Sequence, residues 1–155
     1  MIIVSACLIG IHCRYDGGTS LDETLLSILS QDGYVPLCPE QLGGLSTPRL
    51  PSQIVAGSGE EILNGTSHIT DSSGRDVTEH FLRGAREVAR IARLMKIDTA
   101  LMKEYSPSCG VCSIKRNGVA VRGMGVASAL LASMGITVIS SERVDEDYVR
   151  YHRNR

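Results

Sequence analysis

Apolar and polar positions change their period several times along this chain, and each change marks a boundary between a strand and a helix. Residues 2–6 form a short, nearly unbroken apolar run, the pattern of a strand buried in a parallel sheet. Leu21, Leu25, Leu26 and Leu29 then recur at helical spacing behind Thr19 and Ser20, and Asp32-Gly33 ends that helix. A second strand is predicted over residues 34–37. From Gln41 to Thr78 the chain is rich in Gly, Ser, Thr and Pro, with turn signals at Gly57-Ser58-Gly59, Asn64-Gly65 and Ser72-Ser73-Gly74. A hairpin pairing the segment near Ile54 with the one near Ile62 fits these signals.

Thr78 and Glu79 open a long helix that runs to about Lys96, with Phe81, Ala85, Val88, Ala92 and Met95 on one face. Residues 99–102 read as a third strand, residues 126–134 as a helix closed by Gly135, and residues 136–139 as a further strand. Alternation of this kind predicts a parallel sheet with helices on both faces, which binds ligands outside the carboxyl ends of its strands. The expected architecture is a single α/β domain over residues 1–155, three layers αβα, with a mainly parallel, Rossmann-like sheet and a β-hairpin insertion.

The length of 155 residues suits one domain with a real core. A formal charge of −1 gives no global attraction to nucleic acid or membrane, so neither is favoured as a partner. No apolar run approaches the roughly 20 residues of a membrane span, and residues 1–6 carry no basic leader, so a cytoplasmic protein is expected.

Five cysteines change this picture. Four of them lie in three turn-rich segments: Cys7 and Cys13 in Ser5-Ala6-Cys7-Leu8-Ile9-Gly10-Ile11-His12-Cys13-Arg14-Tyr15-Asp16-Gly17-Gly18, Cys38 in Cys38-Pro39-Glu40, and Cys109 in Ser106-Pro107-Ser108-Cys109-Gly110. Each segment follows a predicted strand, so all three converge on one sheet edge. An odd number of thiols in a reducing compartment argues for metal, cluster or nucleophile chemistry over a disulfide framework. Cys109-x-x-Cys112 also has redox-pair spacing, an alternative that stays open.

These motifs, together with Pro48-Arg49-x-Pro51, Asp76-Val77-Thr78 and the Gly-Met-Gly-Val-Ala helix start, resemble the DUF523 family over nearly the whole chain. Characterised members of that family are thiouracil desulfidases. The resemblance implies an oxygen-sensitive [4Fe-4S] cluster held by three cysteines, with one iron open to the sulfur of a thiocarbonyl; Cys7, Cys38 and Cys109 match the ligand motifs. Thiolates are the usual iron–sulfur ligands, and a three-ligand set leaves a Lewis-acid position free.

The implied reaction is non-redox hydrolysis of a small thiolated nucleobase such as 2-thiouracil to the oxo form, with release of sulfide. Glu40 is the carboxylate placed for acid/base work, and Ser106, Cys13 and Asp16 complete the candidate catalytic set, with Ser108 beside them. Cys13 can also replace Cys7 as a ligand or stand as a second thiol. Cys112 departs from the family pattern, and residues 113–118 are more basic than it.

The rival reading is a non-catalytic zinc or iron–sulfur domain that binds a partner or senses redox state. Single cysteines on separate loops beside a carboxylate favour catalysis, because structural zinc sites are closed by four ligands. Three weaker signals keep plain structural readings. Arg83, Arg86, Arg90 and Arg93 read as a solvated helix face. Gly123-Met124-Gly125 reads as a tight turn. His12, His68, His80 and His152 lack metal spacing. The tail from Asp145 to Arg155, acidic then basic, suits a short helix and its dipole.

Overall fold

A computed structural model describes residues 1–29 and 33–145. Four parallel strands form the central sheet in the order β2-β1-β5-β8: β1 (Ile2–Ser5), β2 (Tyr34–Leu37), β5 (Thr99–Met102) and β8 (Thr137–Ser140). Side-chain alternation divides the core between the two sheet faces. Ile3, Ala100 and Met102 face one side and pack with α4 (Thr78–Leu94) and α5 (Val126–Ser133), through Phe81, Val88, Val126 and Leu131. Ile2, Val4, Leu101 and Ile139 face the other side, against Leu25 and Leu29 of α1 (Glu23–Leu29). The sheet is thus covered on both faces, as the apolar strands predict.

Sequence and structure differ at several boundaries for local reasons. Helix α1 starts at Glu23, because the Leu25 amide donates to Asp22 Oδ1 at 2.9 Å; Leu21 lies ahead of the helix and is exposed. Helix α4 stops at Leu94, not Lys96, because Lys96 adopts φ 54° and sends Ile97 into the core in place of exposed Met95. Arg83, Arg86, Arg90 and Arg93 lie on its exposed side. Asp32 and most of the predicted tail helix lie outside the described residues.

The hairpin insertion exists, but with another partner. Strand β3 (Ser52–Ile54) pairs antiparallel with β4 (Ile69–Asp71), Ile54 opposite Ile69. Ile62 sits instead on α3 (Gly59–Leu63), and the correction has a clear cause in a capping box. The Ser58 amide and hydroxyl both donate to Glu61 Oε2, at 2.7 and 2.9 Å, and this turns the chain into a helix where the sequence reading expects a strand. A second hairpin, β6 (Ser113–Arg116) with β7 (Val119–Arg122), turns on Asn117-Gly118, both at positive φ. That dipeptide is the usual signal for a tight hairpin turn.

Candidate functional site

Strands β1, β2 and β5 run parallel, so their carboxyl ends lie at one edge of the sheet, and each is followed by a thiol-bearing segment. Cys7 falls in a 3-10 turn over Ala6–Ile9, directly after β1. Cys38 follows β2 as the cap residue of α2 (Pro39–Leu42), and this short helix carries Glu40. Cys109 lies in the loop between β5 and β6. A cavity of about 780 Å³ opens at this edge, and Cys7, Cys13, Cys38, Cys109, Glu40, Ser106 and Ser108 all line it.

The thiols differ sharply in their environments. Cys13 is 2% exposed, and its side-chain hydrogen bonds with Cys38 and Cys7, together with its burial, push its thiol far up. The same bonds, chiefly, lower the other two. Cys7 drops despite its burial, helped by the positive charges of Lys103 and Arg14. Cys38 falls to about 7, helped by the Gln41 amide and by Arg49. Burial pushes the Cys109 thiol up to about 12. Two sulfurs pushed down therefore flank one pushed up, with a fourth sulfur in drier surroundings.

Glu40 is held at both carboxylate oxygens. Arg49 donates to Oε2 from Nε and Nη2, each at 2.7 Å, with both side chains largely buried. The second bond of Arg49 Nη2 goes to the Cys13 carbonyl at 2.9 Å, tying α2 to the first loop. The Ser108 hydroxyl donates to Glu40 Oε1 at 3.0 Å, and Ser106 Oγ lies 2.9 Å from Ser108 Oγ. Ser106 Oγ also accepts the amides of Ser108 and Cys109, at 3.2 and 3.1 Å, leaving its own proton free for Ser108. The hydroxyls thus form a chain whose donor direction runs toward Glu40.

Two predicted residues stand apart from this group. Asp16 does not line the cavity; its Oδ1 accepts the Gly18 amide at 2.9 Å and closes a turn in the first loop. Cys112 also lies off the cavity, with its amide donated to Glu104 Oε1 at 2.9 Å. Sequence reasoning missed the roles of Arg49 and Glu104. Arg49 had a signal in Pro48-Arg49-x-Pro51, whereas the partners of Glu104 at residues 111–113 and 140 leave no local mark.

Among the described residues, no group of three His, Cys, Asp or Glu side chains is arranged to hold a metal ion. Four thiols instead rim a cavity, and their soft donor set suits a polynuclear iron–sulfur group better than a hard cation.

Similarity to known proteins spans nearly the whole chain. A family model for 2-thiouracil desulfurase matches residues 2–143. A Bacillus subtilis (strain 168) protein named only as uncharacterized protein YbbK is 42% identical over 149 residues, covering 94% of this chain and 99% of that one. The solved structure of the [4Fe-4S]-dependent thiouracil desulfidase TudS (DUF523Vcz) is similar with a TM-score of 0.83 at 37% identity, covering 98% of this chain and 97% of that chain.

Proposed function

The chain belongs to the 2-thiouracil desulfurase family, and from that premise we propose that it is a [4Fe-4S]-dependent desulfidase acting on a small thiolated pyrimidine such as 2-thiouracil. The reaction balances without electron transfer: a C=S group and water give C=O and hydrogen sulfide. One observation carries the reading, namely that a doubly anchored carboxylate, Glu40, lies in the same cavity as Cys7, Cys38 and Cys109.

Those three cysteines would hold the cluster, and their thiols at the ends of three separate strand–loop junctions fit such a group. When bound with one iron free of protein ligands, the cluster supplies a thiophilic Lewis acid that polarises the thiocarbonyl. Every proton step then falls to the protein. Glu40 is the base that takes a proton from the attacking water, and the Ser106–Ser108 pair passes protons between Glu40 and the cavity. Arg49 takes two bonds on Glu40 Oε2, so Oε1, which accepts only the Ser108 hydroxyl, is the working oxygen and is the one joined to the serine pair. Cys13 lines the same cavity as a further thiol beside Cys7 and Cys38. Asp16 drops out of the catalytic set and shapes the first loop.

A closed structural zinc site takes four protein ligands and leaves no open position, whereas here a doubly anchored carboxylate shares the cavity with the thiols, which favours the catalytic reading. Five unpaired thiols suit a reducing compartment, which supports a cytoplasmic location; no described helix is long and apolar enough to cross a membrane. The test is anaerobic reconstitution with iron and sulfide, followed by iron counting and sulfide release from 2-thiouracil. Glu40→Gln should keep the cluster and lose turnover, whereas Cys38→Ser should fail to assemble the cluster. A Glu40→Gln enzyme with wild-type turnover would remove Glu40 from the mechanism, and a protein that binds zinc but no cluster would overturn the desulfidase reading.

A further inference from the structure

Glu104, two residues past the end of β5, is the least exposed charged residue among the described residues, at 3%. It forms no ion pair there. The Lys103 ammonium beside it donates to the Glu104 main-chain carbonyl, at 3.3 Å, and not to the carboxylate. Instead, three successive amides, those of Val111, Cys112 and Ser113, donate to Oε1 at 2.8, 2.9 and 2.8 Å, and the Ser140 hydroxyl donates to Oε2. Consecutive amides turned toward one anion form a nest, a backbone shape the anion itself stabilises.

The position of this nest gives it a consequence for the site. Glu104 opens the loop between β5 and β6, and residues 111–113 close it; two backbone bonds join the ends, from the Tyr105 amide to the Ser113 carbonyl and from the Lys115 amide to the Tyr105 carbonyl, each at 3.1 Å, and the Glu104 side chain adds three more to the amides of 111–113. Between them lie Ser106, Ser108 and Cys109. On the opposite side the loop carbonyls are taken up by α5: the amides of Val126 and Ala127 donate to Pro107 and Ser108, each at 2.9 Å, and the Ser128 hydroxyl donates to the Cys109 carbonyl at 2.7 Å. The carbonyls of the loop are thus held by the helix, and its closing amides by Glu104.

Burying a carboxylate without a cation costs desolvation energy that this packing offsets only through those bonds. We propose that Glu104 is a positioning residue whose buried carboxylate holds the 104–113 loop in the shape that presents Cys109 to the cluster. The proposal takes Cys109 as a cluster ligand from the function proposed above, and it means that ligand capture requires little further ordering of the loop.

The experiment uses the full-length protein freed of cluster under anaerobic conditions, with iodoacetamide as the probe. Alkylation of each cysteine is followed by peptide mass spectrometry in wild type, Glu104→Gln and Ser140→Ala, with the melting temperature recorded alongside. Gln keeps the shape and removes the charge; Ser140→Ala removes one bond and serves if Glu104→Gln does not fold. The expected result is a rise of about tenfold or more in Cys109 alkylation for Glu104→Gln, and a smaller rise for Ser140→Ala, as local opening becomes easier. Cys7 and Cys38 should stay within about twofold, since their loops do not touch Glu104.

After reconstitution, the same variants should lose the visible cluster band to a chelator faster than wild type. A uniform rise at all three thiols would mean general destabilisation and would overturn the proposal, as would unchanged Cys109 reactivity. Neither outcome depends on desulfidase activity. Failure of the substrate reading, with sulfide release absent and Cys109 selectively exposed, would leave the role of Glu104 standing.

Discussion

A single methyl group at Gly84, in the middle of α4 and outside the cavity lining, should disable the site. A Cβ there would stand 1.9 Å from the Pro39 carbonyl oxygen, about 1.5 Å inside van der Waals contact. The neighbour is backbone and cannot rotate away, and the reciprocal position is equally tight, with a Cβ on Gly43 only 2.0 Å from the His80 carbonyl oxygen. Helix α2 must therefore shift bodily, taking Glu40 with it and dragging on Cys38.

Ala gains about 1 kcal/mol over Gly from helix propensity. Overpacking against a fixed neighbour costs about 1–3 kcal/mol, and strain on the hydrogen bond between His80 Nδ1 and the Gly43 carbonyl (2.8 Å) adds about 1 kcal/mol. The clash wins, with a net loss of about 1–3 kcal/mol and a melting temperature lower by about 2–10 °C for a domain of this size.

Activity should fall further than stability does. A displacement of about 1 Å at a catalytic group can cost about 100-fold in rate. The assay pairs thermal unfolding by circular dichroism with initial rates of sulfide release by the reconstituted enzyme. Ile139→Val, buried on the far face of the sheet, is the comparator, expected to cost about 0.5–1.5 kcal/mol and leave kcat/KM unchanged. Wild-type stability and rate in Gly84→Ala would refute the argument that α2 is held by backbone contact, and an equal rate loss in Ile139→Val would refute its link to the site.

Arg49→Met should leave the Glu40 carboxylate unpaired in a site where both side chains are about nine-tenths buried; a loss of about 3 kcal/mol in urea unfolding and a collapse of kcat with little change in KM are the expected results. Cys112→Ser should retain cluster content and sulfide release within about twofold, because Cys112 stands off the cavity; loss of the cluster would contradict this and make Cys112 a ligand. Acid should weaken the fold partly through Glu104. Burial pushes that carboxyl up, but the Ser140 hydroxyl and three amides outweigh burial and hold it below the usual range. A group lowered in the folded state stabilises above its unfolded value of about 4.3 and loses that contribution as pH falls through the folded value. The stability gap between wild type and Glu104→Gln, read by urea unfolding, should therefore be full near neutral pH and close below about pH 4; a constant gap would contradict this.

Local pattern sufficed wherever a feature depends on near neighbours in the chain. The apolar runs that became β1, β2 and β5, and the Gly- and Pro-marked segments that end them, carried Cys7, Cys38 and Cys109 to one sheet edge before any coordinates were needed, because parallel strands must end together. Glu40 could be picked out for a similar reason, two residues beyond the thiol of Cys38-Pro39-Glu40; that it stands on the first turn of a helix was shown only by the structure. The capping box at Ser58 and Glu61 and the Asn117-Gly118 turn were also written locally, yet turn-rich composition around the first and basic charge around the second obscured them.

Contacts between distant segments could be settled only by folding. Arg49 acquires meaning from Glu40 and the Cys13 carbonyl, Glu104 from amides at residues 111–113 and the Ser140 hydroxyl, and Gly84 from the Pro39 carbonyl. The contrast among the thiols, with Cys13 pushed up and Cys7 and Cys38 pushed down, likewise arises from through-space hydrogen bonds. Strand and helix periodicity are short-range and therefore legible in order along the chain, whereas burial, hydrogen bonding and charge act across whatever the fold brings within a few ångströms. The chain's short-range pattern thus fixed that the three cysteine loops and Glu40 would share one edge of the sheet, and folding decided that Arg49 and Glu104 would join them there and that Asp16 would close a turn instead.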